Sequence, residues 1–232
     1  MHLRTKTRAA ITIVLGLGII YLLIAYFIVP EIWVYRDASR LSDFGSMDTH
    51  TEQDIPGDPI NVGLVGTKKQ IMRAFVAAGW DPADAITLRS SIDIGLSVVL
   101  HRPDLDAPVS ALLFDGRKQD LAFEKPIGDS ADQRNHVRFW LTRNLGGDGR
   151  PLWLGSASFD RGVGLSHDTG QITHHIGPDL DAERNLVISD LMASGQLSSS
   201  YEIPGIGATK HGRNGGGDPY FTDGKALIGV LK

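Results

Sequence analysis

Hydrophobic and polar positions divide the chain into three regimes. From Ala9 to Val29 there are twenty-one residues without a charge. Wound as a helix they would measure about 31 Å, close to the thickness of a bilayer's hydrocarbon core. A soluble core helix is rarely apolar on every face, and a cleaved signal peptide carries a shorter run ending in small residues. This run ends Ala25-Tyr-Phe-Ile-Val-Pro30, and Tyr26, Phe27, Trp33 and Tyr35 suit the membrane interface. The pattern predicts an uncleaved anchor over residues 9–30. Residues 31–59 come next, and from Asp37 onward they are rich in Asp, Ser, Thr and Gln with no sustained period. They read as a polar linker.

From Ile60 the periods become those of a globular domain. Residues 61–65 have the composition of a strand, and Thr67 is placed to cap a helix with Ile71, Ala74, Phe75 and Ala78 on its apolar face and Gly79 at its end. Residues 84–100 fit either a helix (Leu88, Ile92, Leu96, Val99) or a strand (Ile92, Ile94, Leu96, Val98, Leu100), and their length and Asp84 as a cap favour the helix. Strands follow at 111–114 and 121–123 around the turn pair Asp115-Gly116, then at 136–142 and 152–159 as a hairpin around a glycine-rich turn. Asp179, Asp181 and Glu183 open a second helix at its positive end, with Leu180, Val187 and Leu191 inward and Gly195 as the stop. Residues 198–218 read as a loose tail and 225–231 as a last strand. This order predicts an α+β domain over residues 60–232, a largely antiparallel sheet with flanking helices, preceded by one N-terminal transmembrane helix.

Charge gives the anchor an orientation. Arg4, Lys6 and Arg8 precede it with no acidic residue before Glu31, so residues 1–8 form a basic tail that positive-inside logic keeps in the cytoplasm. The domain is then expected outside an inner membrane, periplasmic in a Gram-negative cell, which a chain without cysteine permits. Three of the 23 basic residues lie before the span, leaving 20 against 27 acidic ones and a net charge of −7 for residues 31–232. That balance disfavours a nucleic-acid partner. The expected partners are the membrane, through residues 9–30, and an envelope ligand or membrane protein.

Candidate chemistry concentrates between Asp160 and His175, where one Arg, two Asp and three of the chain's eight His occur within sixteen residues. Gly162 and Gly164 there permit positive φ or the close approach of another group. Alternation along the strand at 136–142 puts His136, Arg138 and Trp140 on one face and Val137 and Phe139 on the other. The adjacent His174 and His175 would point to opposite faces of a strand, so one of them is expected at a given site. A metal would need three converging ligands, for example His136, His167 and one of that pair, and no His-x-x-x-His or His-x-His spacing supports it. No metal and no cofactor is therefore expected. Ser156, Ser158 and Ser166 lack a nucleophile elbow. Arg161 followed by His167 copies part of the third signature of the type 2 phosphatidic acid phosphatases, but Asp160 and Gln171 stand where that signature has Ser and Asp, and the assignment is rejected.

Five segments carry a different likeness: Asn61-Val-Gly-Leu-Val-Gly-Thr67, Gly116-Arg-Lys-Gln-Asp-Leu-Ala-Phe123, His136-Val-Arg-Phe-Trp140, Asp160-Arg-Gly-Val-Gly164 and Thr173-His-His-Ile-Gly-Pro-Asp-Leu-Asp-Ala-Glu-Arg184. In this order they resemble the domain at the C-terminus of LssY-type bacterial proteins, from about residue 60 to the end. The resemblance implies no assigned reaction and no established catalytic residues. Longer members of that family are similar to multi-span membrane proteins, from which a single anchor departs.

Three functions follow as expectations, and whether the protein is an enzyme stays open among them. The first is recognition of an envelope ligand or partner by an outward-facing domain. The second is an anchored hydrolase for an anionic, phosphoester-like substrate. There Arg117, Arg138 and Arg161 would hold the anion, Asp120 and Asp160 would orient, and His136, His167 or His174 would move the proton. The third is a scaffold, which requires a large apolar patch. Convergence of Asp120, His136, Asp160, Arg161 and His174 in one pocket would favour the enzyme.

Overall fold

The computed structural model describes residues 2–29, 47–83, 89, 112–128, 133–170, 172–204 and 210–232. The helix expected over 84–100 lies almost wholly outside them. Helix α1 (His2–Leu23) runs into a π segment, Ile24–Ile28. Within it Ala10–Ile28, with a mean hydropathy of 2.6, is long and apolar enough to cross a membrane, by length and composition.

Among the described residues, fourteen strands and two further helices follow. Strands β1 (Asp48–His50) and β2 (Pro56–Pro59) come first, then β3 (Val62–Val65), helix α2 (Lys68–Ala77) and β4 (Asp81–Pro82). They are followed by β5 (Leu113–Phe114), β6 (Arg117–Lys118), β7 (Leu121–Pro126), β8 (Arg134–Leu145), β9 (Pro151–Leu165) and β10 (Ile172–Ile176). Helix α3 (Leu180–Ala193), β11 (Leu197–Pro204), β12 (His211–Arg213), β13 (Pro219–Phe221) and β14 (Lys225–Leu231) complete the order.

The main sheet runs β11-β14-β3-β9-β8-β7-β4, with β10 also on β9. Among the described residues, only its β14–β3 pair is parallel, so the α+β expectation of a largely antiparallel sheet holds. The fifteen-residue β9 pairs with β3 through Leu152–Gly155 and with β10 from Asp160 to Leu165. Between those partners Asn61 completes the ladder with its side chain. Its Nδ2 donates to the carbonyls of Ala157 and Leu180 at 2.9 and 3.1 Å, and its Oδ1 accepts from the Ala157 amide at 2.9 Å.

Alternation sends Val137, Phe139, Leu121, Phe123 and Ala157 to the face covered by α2 and α3, where Ile71, Phe75, Val187 and Leu191 complete the main core. Phe75 stacks on Phe123 with ring centres 4.1 Å apart and meets Trp80 edge-on at 5.6 Å. Both helices start as their sequences predict. Thr67 and Gln70 form a reciprocal capping box on α2, and the Asp179 side chain accepts from the Ala182 amide at the start of α3.

The opposite face is half apolar and half polar. At one end Ile60, Trp140, Leu154 and Ile228 pack against Met47 and Leu112, beneath a small sheet ordered β2-β1-β5-β6. Two expectations are corrected here. Residues 48–50 and 56–59 are strands rather than tether: Thr49 is fully buried and Asp58 nearly so, because short polar segments can pair in a sheet without any hydrophobic period. Residues 198–218 are not a loose tail throughout, since β11 pairs with β14 from Leu197 to Pro204 and β12 with β13.

Candidate functional site

The polar half of that face is a cross-strand ladder. Register sets Glu124 beside His136 and His136 beside Ser158, with Arg134 opposite Asp160 and Arg138 opposite Ser156. All are buried. Burying so many charged groups is tolerable only when each is compensated. Arg134 donates through Nε to Asp160 Oδ2 at 3.1 Å and through an η-nitrogen to Glu124 Oε2 at 2.9 Å. His136 Nδ1 lies 3.2 Å from Asp160 Oδ1, while its Nε2 sits 2.6 Å from Arg138 Nη1 and 3.1 Å from Ser158 Oγ. An Arg η-nitrogen only donates, so that Nε2 is the acceptor in the shortest contact. Ser158 Oγ donates to Asp58 Oδ2 at 2.9 Å, and Asn214 Nδ2 donates to Asp58 Oδ1 at 3.3 Å.

These contacts set the charge states. Burial opposes ionisation of Asp160, but the electrostatic attraction and hydrogen bond of His136, with His174 and Arg138 behind them, hold its carboxyl well below the usual range. Burial raises Glu124 despite Arg134 beside it. His174 lies below the ordinary imidazole value, first through burial, with Asp160 pulling the other way and the Arg134 guanidinium, then His136 and Arg138, pushing down. It is half-buried, and its Nε2 is 3.5 Å from Arg134 Nη2.

A cavity of about 350 Å³ opens on this ladder. His136, Arg138, Asp160 and His174 reach it from β8, β9 and β10, Asp58 from β2, and Ser166, Thr169, Thr173 and Asn214 add hydroxyl and amide groups. Tyr26, from the end of the apolar helix, also lines it. The Tyr21 hydroxyl of the same helix contacts the Gly170 carbonyl in the turn between β9 and β10.

A second cluster lies on the other side of β10. His175 Nδ1 is 2.9 Å from Asp218 Oδ1, His167 Nε2 is 3.6 Å from the same oxygen, and Arg161 Nη2 is 3.3 Å from it. Asp218 Oδ2 accepts from the Ile176 amide at 3.0 Å, and Arg161 Nε donates to the Ile176 carbonyl at 2.6 Å.

The residues singled out in the sequence therefore separate. His136, Arg138, Asp160 and His174 share the cavity. Arg161 and His167 belong to the Asp218 cluster: Arg161 is adjacent to Asp160 in the strand and so faces the other way, and His167 reaches Asp218 from the turn after β9. Asp120 and Arg117 lie at neither place. The Asp120 carboxylate accepts from the Leu141 amide at 2.7 Å, and Arg117 is 3.7 Å from Asp120 and donates to the Leu141 carbonyl. Both histidines of the pair have polar partners, in different clusters. Arg134, Glu124, Asp58 and Asn214 in the first cluster, and Asp218 and His175 in the second, were not singled out. Alternation with His136 marks Arg134 in the sequence, whereas Asp58 and Asp218 sit in irregular polar stretches with no such signal.

Fold and site together define a mainly antiparallel α+β domain with a buried charged cavity, preceded by one helix suited to crossing a membrane. No curated protein and no solved structure matches the chain. The family described as LssY C-terminus does, over residues 37–226, and the chain belongs to it.

Proposed function

We propose that the protein is a membrane-anchored recognition module whose extracytoplasmic domain binds a small polar group presented at the membrane surface. The observation that carries this is the convergence of His136, Arg138, Asp160 and His174 on one cavity that Tyr26, at the end of the anchor, also lines. The charges in the wall are already matched, Asp160 by Arg134 and His136 and Asp58 near Arg138 at 3.9 Å. A matched wall selects ligands by hydrogen bonds to hydroxyls, amides and single charges rather than by bulk charge. The basic residues before the anchor support the outward orientation. Thermal-shift titration of the full-length protein in detergent with glycerol phosphate, phosphoethanolamine and N-acetylhexosamines tests the reading. At least one class should raise the melting temperature of the wild type and fail to raise that of His174→Ala. No shift with any class, or equal shifts in both proteins, would count against it.

A hydrolytic reading has one specific observation behind it. Asp160 contacts His136 Nδ1 while a neighbouring His174 is held toward its neutral, proton-accepting form. The nucleophile in that reading is water, because the Ser158 hydroxyl is fully buried and bonded to Asp58. Phosphoester turnover by the purified protein that His174→Ala abolishes would replace the recognition reading with this one.

A further inference from the structure

We infer that His167, His175 and Asp218 form a binding site for a divalent transition-metal ion of the zinc class, separate from the cavity. Their donor atoms come from three different segments, the turn after β9, strand β10 and the loop before β13, yet all lie within 4.8 Å of one another. In a tetrahedral site with metal–nitrogen bonds near 2.0–2.1 Å, neighbouring donors stand about 3.3 Å apart. The two distances from Asp218 Oδ1, 2.9 Å to His175 and 3.6 Å to His167, bracket that value.

Asp218 is built into position. Its side chain is 1% exposed. Oδ2 accepts from the Ile176 amide and lies 3.1 Å from His175 Nδ1, Oδ1 is the oxygen nearest both imidazoles, and the Asp218 amide donates to Asn214 Oδ1 at 2.9 Å. Such outer contacts orient a metal-ligating carboxylate. The rings also have space made for them. A Cβ on Gly164 would fall 2.5 Å from His175 Nε2, and one on Gly217, at φ +80°, would fall 2.9 Å from His167 Cβ. With Nε2 turned toward Gly164, Nδ1 is the nitrogen that faces Asp218.

The His167 side chain is 60% exposed, so a bound ion keeps an open side toward solvent, and a small rotation of this ring closes the remaining gap. Two imidazoles and one carboxylate favour zinc, nickel or copper over magnesium or calcium. Arg161 now neutralises Asp218, but its side chain is 49% exposed and has room to swing out when an ion enters. The ion would tie the β9–β10 turn to the loop carrying Asn214 and Gly216, both of which line the cavity.

The test uses full-length protein in detergent, its affinity tag removed and its metals stripped with chelator, titrated with Zn²⁺ alone by calorimetry. Expected is one saturable Zn²⁺ per chain, a Kd at least tenfold weaker in His167→Ala, and no competition from a hundredfold excess of Mg²⁺. His167 is exposed, so this variant keeps the fold, which circular dichroism verifies. Co²⁺ substitution should give the visible absorption of a tetrahedral centre in the wild type. Absence of saturable binding, equal affinity in His167→Ala, or displacement by Mg²⁺ would each overturn the site.

Discussion

Single residues in the polar ladder make opposite demands on pH. Asp160 has a folded pKa far below its unfolded one, so its contribution to stability is fully present above about pH 4 and is lost as pH falls through the folded value. Replacing it with Asn leaves Arg134 and His136 buried beside an uncharged partner. Asp160→Asn should cost about 3–5 kcal/mol in urea denaturation at pH 7, and an unchanged midpoint would contradict the pairing described. Glu183 is the converse case. Burial, then Asp179 and Asp160, raise its carboxyl to about 7. Above the unfolded value the folded chain holds a proton that the unfolded chain has released, so stability declines from about pH 4.5 up to about 7. Glu183→Gln should remove that decline and raise the melting temperature at pH 8 while leaving it little changed at pH 4. Parallel pH profiles for the two proteins would contradict this. Sequence alternation exposed His136, Arg138 and Asp160, because strand period alone fixes which side chains share a face. It could not expose Asp58 or Asp218, whose partners lie 100 and 43 residues away in the chain.

Elements were legible where a local signal decides them. The cap at Thr67, the helix opened by Asp179 and the hairpin of β8 and β9 all rest on contacts within a few residues or on a two-residue period. Strands β1 and β2 were not legible, since Asp48-Thr-His50 and Pro56-Gly-Asp-Pro59 carry no apolar alternation and are stabilised by neighbours distant in sequence. Strand β11 has the same difficulty: Leu197-Ser-Ser-Ser-Tyr-Glu-Ile-Pro204 is a polar edge that only β14 organises. Asn61 is the element-scale joint. Asn61→Ala leaves the Ala157 amide and carbonyl buried without their partner at the gap between β3 and β10, and removes a second acceptor contact at the Leu180 carbonyl. Unsatisfied groups of this kind cost about 1–3 kcal/mol each. The expected loss on chemical denaturation is roughly 3 kcal/mol or more, with faster amide exchange at residues 155–160. A variant as stable as the wild type would mean that β9 is not held there by Asn61.

At the scale of the whole molecule, a helix fit for a bilayer and a domain with a polar cavity meet at Tyr21 and Tyr26. The helix was legible from composition alone. The cavity was not, since it requires β2, β8, β9, β10 and the Asn214 loop to be assembled before any wall exists. The assembled molecule divides the polar residues into two sites on either side of β10, one lined by His174 and one by His175; strand alternation separates that pair in the sequence, but it does not show that Arg161 and His167 go with His175. If the cavity is a recognition site beside the membrane, protein released gently from its own membrane should carry its ligand. Native mass spectrometry of the full-length chain, wild type against His174→Ala, is the most direct test. A discrete small-molecule adduct is expected on the wild type and is lost or strongly reduced in the variant. Identical spectra from the two proteins, with or without an adduct, would contradict it.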